Sequence, residues 1–283
     1  MKDDIFLVFG ILAIVFFGLK TRTFLKEIWR NHDLLIGLSV NDLKTKYAGS
    51  YLGVLWAFVQ PILTTFIYWF IFQIGFRLAP VDDFPFILWL ITGLVPWFLF
   101  SDAVMSATAS MQEYSYLVKK VMFHVDILPA VKVISSLIIH IVFVLFVLLC
   151  YLGNGIALNL YLIQVVYYSF CLVVLAIGIV YITATLNVFI KDTMQVVSVI
   201  MQLLFWMTPI VWDLNIMPPF IQNLLQLNPL CYIVMGYRDS FINHIWFWDK
   251  LELTIIFWVI TSGVLFIGIC LFKKLKNHFA DVL

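Results

Sequence analysis

The chain has 283 residues, of which 64% are hydrophobic and only 12% are charged. A soluble domain carries charge on about a quarter of its residues, so this composition excludes a soluble enzyme or binding module and indicates a protein of the lipid bilayer. The net charge of +1 is too small to attract nucleic acid, and no nucleic-acid partner is expected.

The first apolar segment runs from Ile5 to Leu19. A membrane crossing needs about 20 apolar residues, which is more than this segment offers. It also lacks the small-residue cleavage site of a signal peptide. The sequence leaves both a crossing and an interfacial helix open, and residues 1–23 are treated as an N-terminal apolar extension.

Residues 24–50 contain the first strongly patterned segment. Ile36, Val40, Leu43 and Tyr47 recur at helical spacing, and Gly49 ends the run. This pattern predicts an amphipathic helix in the cytoplasmic membrane interface. The helix is either a simple anchor, or its polar face meets a cytoplasmic partner and a lipid headgroup. That polar face carries Ser39, Asn41, Asp42, Lys44 and Lys46.

Residues 51–283 are predicted to form one all-α integral membrane domain with six transmembrane helices. A span must be apolar and helical because lipid offers no partners to its backbone amides. The sequence supplies spans at about Tyr51–Phe76 and about Phe84–Ala109, a hairpin of two between Lys132 and Lys191 that turns at Gly153-Asn154-Gly155, then Met194–Trp212 and Leu253–Phe272.

The stretch from about 213 to 250 is apolar but broken by Pro218-Pro219 and Asn228-Pro229. Broken backbone survives at membrane depth only where protein covers it. We therefore predict short re-entrant helices on the outer side.

The basic residues sort to one side of the predicted spans. Thirteen of them, in residues 20–50, the 111–132 loop, the loop near 191 and the tail after 272, share one face, whereas Arg77, Arg238 and Lys250 lie on the other. The rich side is predicted to be cytoplasmic, and the C-terminus with it.

The cytoplasmic loop Gln112–Asp126 mixes aromatic and apolar residues with lysines. It is predicted either to dock as a short helix into a groove of another protein or to rest on lipid headgroups. The candidate docking residues are Tyr114, Tyr116, Leu117, Lys119, Lys120, Val121, Phe123 and His124.

No catalytic or metal-binding motif is recognisable. None of the 13 glycines precedes a lysine, which excludes a Walker A loop, and neither an H-E-x-x-H nor a Gly-x-Ser-x-Gly motif occurs. Any use of ATP must come from another chain. The adjacent acids Asp82 and Asp83 are typical of a solvated loop.

Asp102 lies well inside a predicted span, where acids are costly and often functional. It either lines a polar path, reaches headgroup water, or pairs with Lys132. Most aromatic residues are expected in interfacial belts. The candidates for a channel lining, where flat rings offer sugars a stacking surface, are Tyr68, Trp69, Phe72, Trp89, Trp97, Asp102 and Trp206.

Seven short motifs follow one another in a fixed order along the chain. They are Asp42-Leu43-Lys44-Thr45-Lys46-Tyr47 with Ser50-Tyr51-Leu52-Gly53-Val54-Leu55-Trp56 and Pro61, Ile91-Thr92-Gly93-Leu94-Val95-Pro96-Trp97, Lys119-Lys120-Val121-Met122-Phe123, Leu186-Asn187-Val188-Phe189 to Lys191-Asp192, Thr208-Pro209-Ile210, Asn228-Pro229, and Phe279-Ala280-Asp281. In this order and at these spacings they resemble the membrane subunits of ABC-type polysaccharide exporters, which include O-antigen and teichoic acid permeases. The resemblance covers the chain from about residue 25 to the end.

The resemblance implies a homodimer in the bacterial inner membrane that carries two cytoplasmic ATPase subunits, with ATP and Mg bound by the ATPases and no cofactor bound by this chain. It implies export of a polyprenyl-diphosphate-linked glycan. Residues 34–48 resemble a gate helix, with Asn41, Asp42, Lys44, Lys46 and Tyr47 as headgroup candidates. Residues 113–125 resemble a coupling helix. The Lys191-Asp192 pair departs from the Arg-Asp expected there, and the first 20 residues exceed the usual start.

Two other classes of function remain open from the residues. A stand-alone channel or a proton-coupled flippase for lipid-linked glycan would use Asp102 in a relay and would need no ATPase. A membrane-embedded glycosyltransferase would need clustered acids on one surface, which the sequence lacks.

Overall fold

The computed structural model describes residues 30–77, 84–119 and 124–283. Three groups of predictions lie outside the described residues: the apolar segment Ile5–Leu19, the acids Asp82 and Asp83, and the docking candidates Lys120, Val121 and Phe123. Within the described ranges the chain is helical, and no strand is present.

The described helices follow one another with short connections. They are α1 His32–Lys46, α2 Trp56–Trp69, α3 Phe86–Glu113, α4 Ser115–Val118, α5 Leu128–Gly153, α6 Gln164–Phe189, α7 Thr193–Met207, α8 Pro219–Gln226, α9 Pro229–Arg238, α10 Leu251–Leu275 and α11 Phe279–Val282. A 3₁₀ turn, Gly53–Leu55, leads into α2, and a π-helical turn, Phe70–Gly75, continues it.

Five of the described helical segments are long and apolar enough to cross a membrane. They are Gly53–Gly75, Phe86–Glu113, Val125–Gly153, Leu160–Phe189 and Phe247–Val282. They correspond to five of the six predicted spans, and the predicted hairpin turn lies where α5 ends, with Gly155 at φ +76°.

The predicted span Met194–Trp212 differs from the others. Its helix, α7, has 15 residues and ends at Met207, before Thr208-Pro209. At about 1.5 Å per residue it is about 22 Å long, less than the roughly 30 Å of hydrocarbon. The structure thus supports five spans by length, and the sixth stays a prediction.

Four helices, α3, α5, α6 and α10, form the packed core. The largest core cluster runs through these four, with Phe100, Leu172, Tyr181 and Phe272 among its fully buried side chains. By contrast α2 stands at the edge, and only 6% of its span is buried. A long apolar helix with so little cover within one chain must face lipid or another subunit.

Helices α6 and α10 cross at two glycines. A Cβ added at Gly268 would lie 2.5 Å from the carbonyl oxygen of Gly178, and backbone cannot move aside as a side chain can. We expect Gly268→Ala to lower the free energy of unfolding by about 1–3 kcal/mol. Thermal unfolding in detergent measures it.

The matched control for this substitution is Gly263→Ala in the same helix. No atom lies within 4 Å of the Cβ that it would add, so it is expected to be neutral or to stabilise by up to about 1 kcal/mol through helix propensity. Equal effects of the two substitutions would contradict the close crossing.

The interface helix α1 is oriented differently from the expectation. Ser39 and Asp42, on the polar side, are buried against α5, whereas Ile36 and Val40 are exposed. Ser39 and Asp42 therefore anchor α1 to α5, and the apolar residues Ile36 and Val40 are left for lipid or another subunit. The cause is the set of polar groups that α5 presents at this position.

The stretch from 213 to 250 is broken, as predicted. It contains α8, α9 and three short turns, Leu214–Ile216, Asp239–Asn243 and Phe247–Lys250. Asn228 begins α9 by accepting a hydrogen bond from the backbone N–H of Leu230 at 3.0 Å, and Pro229 occupies the first helical position, where no donor is needed. The depth at which residues 213–250 lie in a membrane stays a prediction.

Candidate functional site

A buried polar network joins α1 to the start of α5. One carboxylate oxygen of Asp42 accepts hydrogen bonds from Lys132 Nζ at 2.7 Å and from the Tyr114 hydroxyl at 2.6 Å. The other oxygen accepts from Ser135 at 2.9 Å. Asp42 is 4% exposed and Lys132 is 6% exposed. Asp42 and Lys132 are therefore a buried ion pair whose carboxylate accepts three hydrogen bonds. Removing one partner of such a pair strongly destabilises the folded protein.

Lys132 has a second carboxylate partner, Glu113, at the end of α3. Its ammonium also lies 5.1 Å from the centroid of the Tyr114 ring, within cation–π range. One ammonium therefore holds together α1, the end of α3 and the beginning of the loop after it. We call Asp42, Glu113, Tyr114, Lys132 and Ser135 the Lys132 network.

A second ion pair lies one turn further along α1. Lys46 Nζ is 2.6 Å from Asp102, and the Ser136 hydroxyl donates to the other oxygen of Asp102 at 2.7 Å. The expectation that Asp102 pairs with Lys132 is wrong. Lys132 forms ion pairs with Asp42 and Glu113 instead. Lys46, at the C-terminal end of α1, is the lysine that pairs with Asp102.

The Asp42 carboxylate and the Lys46 ammonium stay charged near neutral pH. Burial acts to raise the pKa of Asp42, but hydrogen bonds from Lys132, Tyr114 and Ser135 outweigh it and hold the pKa below the ordinary 3.8. Burial acts to lower the pKa of Lys46, but Asp102 outweighs it and holds the pKa above the ordinary 10.5. Asp42 thus loses its stabilising charge only as pH falls below 3.8, and Lys46 only as pH rises above 10.5.

The described part of the predicted coupling segment divides into inward and outward residues. Tyr114 is half-buried, and burial and the Asp42 carboxylate both raise its pKa. Val118 is 6% exposed, whereas Tyr116 is 59% exposed. Leu117 is half-buried, and Lys119 and His124 are exposed. The segment is therefore anchored to the protein by Tyr114 and Val118, and the aromatic side chain of Tyr116 is left exposed.

The loop after the coupling segment is tied to the C-terminus. Lys276 bonds both carboxylate oxygens of Asp126, at 2.9 and 3.0 Å, and the backbone carbonyl of Asp126 accepts from Tyr181. Phe279 of α11 is fully buried. These contacts fix the far end of the loop to α6 and to the tail.

The predicted headgroup residues of α1 separate in the same way. Asn41 and Lys44 are exposed, and Tyr47 is half-buried. Asp42 is turned inward, so it is not available to a headgroup in this arrangement. Lys46 is the one of the five that borders a cavity while holding a charged partner.

The predicted channel aromatics lie together on α2, α3 and α7, mostly packed on one another. Tyr68 stacks on Phe205 at 5.6 Å between centroids, and Trp97 meets the same ring edge-on at 5.3 Å. Trp69 and Phe72 pack against this cluster. Trp206 is 53% exposed, whereas Trp89 is buried. Asp102 lies apart from them, in the cavity described below.

Sequence reasoning missed the role of Arg238, at the end of α9. Its guanidinium donates to the carbonyls of Pro209 at 2.6 Å and Ile210 at 2.7 Å, and it lies 3.6 Å from the Trp89 ring centroid. Arg238 thus clamps the break after α7 onto α3. A Cβ on Gly93 would come within 2.9 Å of this guanidinium. The signal was available: a basic residue in an apolar, broken membrane stretch indicates function or a buried partner.

A cavity of about 710 Å³ separates α2 from α3 and α5. Lys46, Asp102, Ser136 and His140 form its polar wall, and α2 contributes Gln60 and Thr64 among others. Within the described ranges no three His, Cys, Asp or Glu side chains lie close enough to hold a metal ion. The polar groups of the wall are hydrogen-bond donors and acceptors.

Comparison with known proteins covers most of the chain. A family model described as "ABC-2 type transporter" matches residues 34–242. An "O-antigen export system permease protein RfbA" of Klebsiella pneumoniae is 29% identical over 255 residues, which is 89% of this chain and 95% of the relative. A "Polysialic acid transport protein KpsM" of Escherichia coli is 25% identical over 83% of this chain and 91% of the relative. The "Inner membrane transport permease YadH" of Escherichia coli K12 is 23% identical over 65% and 75%.

Proposed function

This chain belongs to the ABC-2 type transporter family, and from that premise we propose that it is the transmembrane subunit of an ATP-driven exporter of polyprenyl-diphosphate-linked polysaccharide. The observation that carries the proposal is the alignment with a named O-antigen permease over 95% of that relative's length. The same alignment covers 89% of this chain, so the similarity extends over most of its helices rather than one shared segment.

The proposed assembly is a homodimer of this chain with two cytoplasmic ABC ATPase subunits in the bacterial inner membrane, with the C-terminus in the cytoplasm. ATP and Mg are bound by the ATPases. The uncovered α2 leaves room for a dimer, because its apolar face, with 6% of its span buried in one chain, can pack on a second subunit as well as on lipid. The polymer itself is either an O-antigen-like or a teichoic-acid-like glycan.

The Lys132 network supports a route from the ATPase to the membrane gate. Tyr114, at the start of the coupling segment, donates to the same Asp42 oxygen that Lys132 bonds. A movement of the coupling segment would therefore pull directly on α1. Residues 47–52 and the turn Gly53–Leu55 join α1 to α2, so the pull would pass along the chain to α2, which carries the channel candidates Tyr68 and Trp69.

The exposed face of the coupling segment gives a direct test. We expect Tyr116→Ala to lower substrate-coupled ATP hydrolysis at least about tenfold, because a large aromatic side chain at a docking interface often contributes 2 kcal/mol or more. The unfolding temperature should stay unchanged, since Tyr116 is 59% exposed. ATPase assays of the purified complex measure the first effect.

The matched control is Val118→Ala in the same short helix. Val118 is 6% exposed, so its truncation should lower the unfolding temperature and alter coupling only through stability. If Tyr116→Ala leaves ATP hydrolysis and export unchanged, the coupling segment does not dock on the ATPase.

Reconstitution tests the function as a whole. The chain and its ATPase are placed in proteoliposomes with a lipid-linked glycan, and glycan reaching the opposite leaflet is followed. Export is expected to require ATP and to stop when the catalytic glutamate of the ATPase is replaced by glutamine. Dissipating a proton gradient should leave it unchanged. Transport that needs the gradient and no ATPase would establish the proton-coupled flippase instead.

A further inference from the structure

The lining of the cavity between α2, α3 and α5 combines hydrogen-bond donors and acceptors that suit a ligand rich in hydroxyl groups. Among its described lining residues, Lys46 and Asp102 are the formally charged pair, and they neutralise each other at 2.6 Å. Ser136, which is 3% exposed, donates to the free oxygen of Asp102. The cavity therefore presents cationic and anionic hydrogen-bonding groups side by side without net charge.

His140 extends this polar wall deeper into the membrane. It is 3% exposed, and its Nε2 lies 2.9 Å from the hydroxyl of Tyr237 and 3.2 Å from that of Ser169. Its Nδ1 is buried, so this atom is not available to a ligand in this arrangement. The two hydroxyls fix the orientation of the ring, and His140 adds a polar group to the cavity lining.

An apolar groove continues from this cavity. A second cavity of about 180 Å³ shares Val95, Phe98 and Phe143 with the first and is otherwise lined by residues such as Ile62, Phe66 and Phe146. Its one hydroxyl, on Thr65, already donates to the carbonyl of Pro61 at 2.8 Å. The two cavities together are polar at one end and apolar at the other.

We infer that the cavity and the groove together bind one lipid-linked saccharide, with an uncharged sugar unit in the cavity against Lys46, Asp102 and Ser136 and a length of its hydrocarbon chain along Phe98 and Phe143. This inference rests on the proposed function, because it names the part of the substrate that each surface takes. The volume of about 710 Å³ lies within the roughly 300–1,000 Å³ common for ligand pockets.

The hydrogen-bonding chemistry selects a sugar over a diphosphate at this position. A sugar hydroxyl is both donor and acceptor, so it can donate to the Asp102 carboxylate and accept from the Lys46 ammonium together. A diphosphate only accepts, and it would meet the negative charge of Asp102. Tyr47 and Trp56 line the same cavity and offer flat ring faces to the sugar.

Photolabelling of the full complex with its ATPase, in nanodiscs of phosphatidylethanolamine and phosphatidylglycerol, tests this site. The first probe is a polyprenyl-diphosphate-linked N-acetylhexosamine with a diazirine on the sugar. The second is a phosphatidylethanolamine with a diazirine on its headgroup. The sugar probe is expected to label peptides of α2 and α5 that line the cavity, and unlabelled glycolipid should compete while phosphatidylethanolamine should not.

Filling the cavity should remove this label. Thr64→Trp places an indole in the cavity from α2 and is expected to reduce labelling at least about tenfold, equivalent to about 1.4 kcal/mol of binding. Gln60→Trp, also a lining residue, is the second filling variant if the first unfolds. Val142→Trp is the control, since Val142 is 45% exposed on α5 and outside both cavities, and it should label as the unmodified chain does.

The outcomes separate the site from the function. Unchanged labelling in both filling variants, or equal labelling by the phospholipid probe, overturns the site. ATP-dependent export by a preparation whose cavity does not label overturns the site and leaves the proposed function standing. Cavity labelling without ATP-dependent export supports the site and overturns the function.

Discussion

Replacing Lys132 with methionine is expected to lower the free energy of unfolding by about 3–5 kcal/mol, the cost of leaving one partner of a buried ion pair alone. Asp42 would keep its hydrogen bonds from Tyr114 and Ser135, so the loss should lie toward the lower end. Methionine keeps the length of the lysine side chain, and the effect therefore reports the charge rather than a cavity.

The predicted loss has a signature that a general packing defect would not give. Adding Asp42→Asn to Lys132→Met removes the orphaned charge and should restore most of the lost stability, since a pair replaced by neutral groups is often as stable as the pair. Thermal unfolding of the single and double variants in detergent measures the difference. Lys44→Met, on the exposed side of α1, is the control and should be neutral.

Function and stability are expected to separate in the double variant. With both charges gone, α1 packs on α5 but loses the ion pair between Asp42 and Lys132, and the hydrogen bond from Tyr114 to residue 42 no longer ends on a charge. We expect folded protein whose partner ATPase hydrolyses ATP without exporting glycan. Full export by the double variant would mean that the Lys132 network only stabilises the chain.

Replacing Arg238 with methionine is the second change with a large expected effect. The carbonyls of Pro209 and Ile210 would lose their donors in a buried position, at about 1–3 kcal/mol each. The stacking on Trp89 would be lost as well. Removing the desolvation cost of the guanidinium offsets part of this, so we expect a net loss of about 2–4 kcal/mol, measured as a lower unfolding temperature.

The guanidinium of Arg238 donates to two carbonyls at once, so a variant that keeps the charge but not this geometry is the informative comparison. Arg238→Lys keeps a charge, but a single ammonium does not match two carbonyls and a ring face at once, and it should recover less than half of the loss. Arg77→Met, at an exposed arginine after α2, should be neutral. Full rescue by lysine would contradict the clamp and would indicate that only charge matters.

Part of the fold followed directly from the sequence. The sequence predicts spans at Tyr51–Phe76 and Leu253–Phe272, and the helical segments Gly53–Gly75 and Leu251–Leu275 agree within a few residues. The agreement is close because a membrane-crossing segment must be apolar and helical over a set length, whatever its neighbours. The turn at Gly153-Asn154-Gly155 and the break at Asn228-Pro229 were equally local. Each depends on the backbone preferences of two or three residues.

The tertiary structure explains why several of the family motifs contain the residues they do. Gly93, Thr208 and Asn228 belong to three separate motifs, yet they meet around one clamp. Arg238 leaves no room for a Cβ at Gly93, and Asn228 donates to the Thr208 hydroxyl at 3.0 Å. No spacing rule in the sequence connects these positions, since the chain between them crosses several helices.

By itself the sequence determined the kind of protein this is: helical, embedded in a bilayer, and without a motif for hydrolysing ATP. These properties depend on composition and on local pattern. Only the tertiary structure decided which charges meet, because partners such as Asp42 and Lys132 stand 90 residues apart and several lysines were compatible with each acid. It also turned Ser39 and Asp42 of α1 inward, since burying Asp42 against Lys132 and Ser135 satisfies a charge that amphipathic periodicity alone assigns to water.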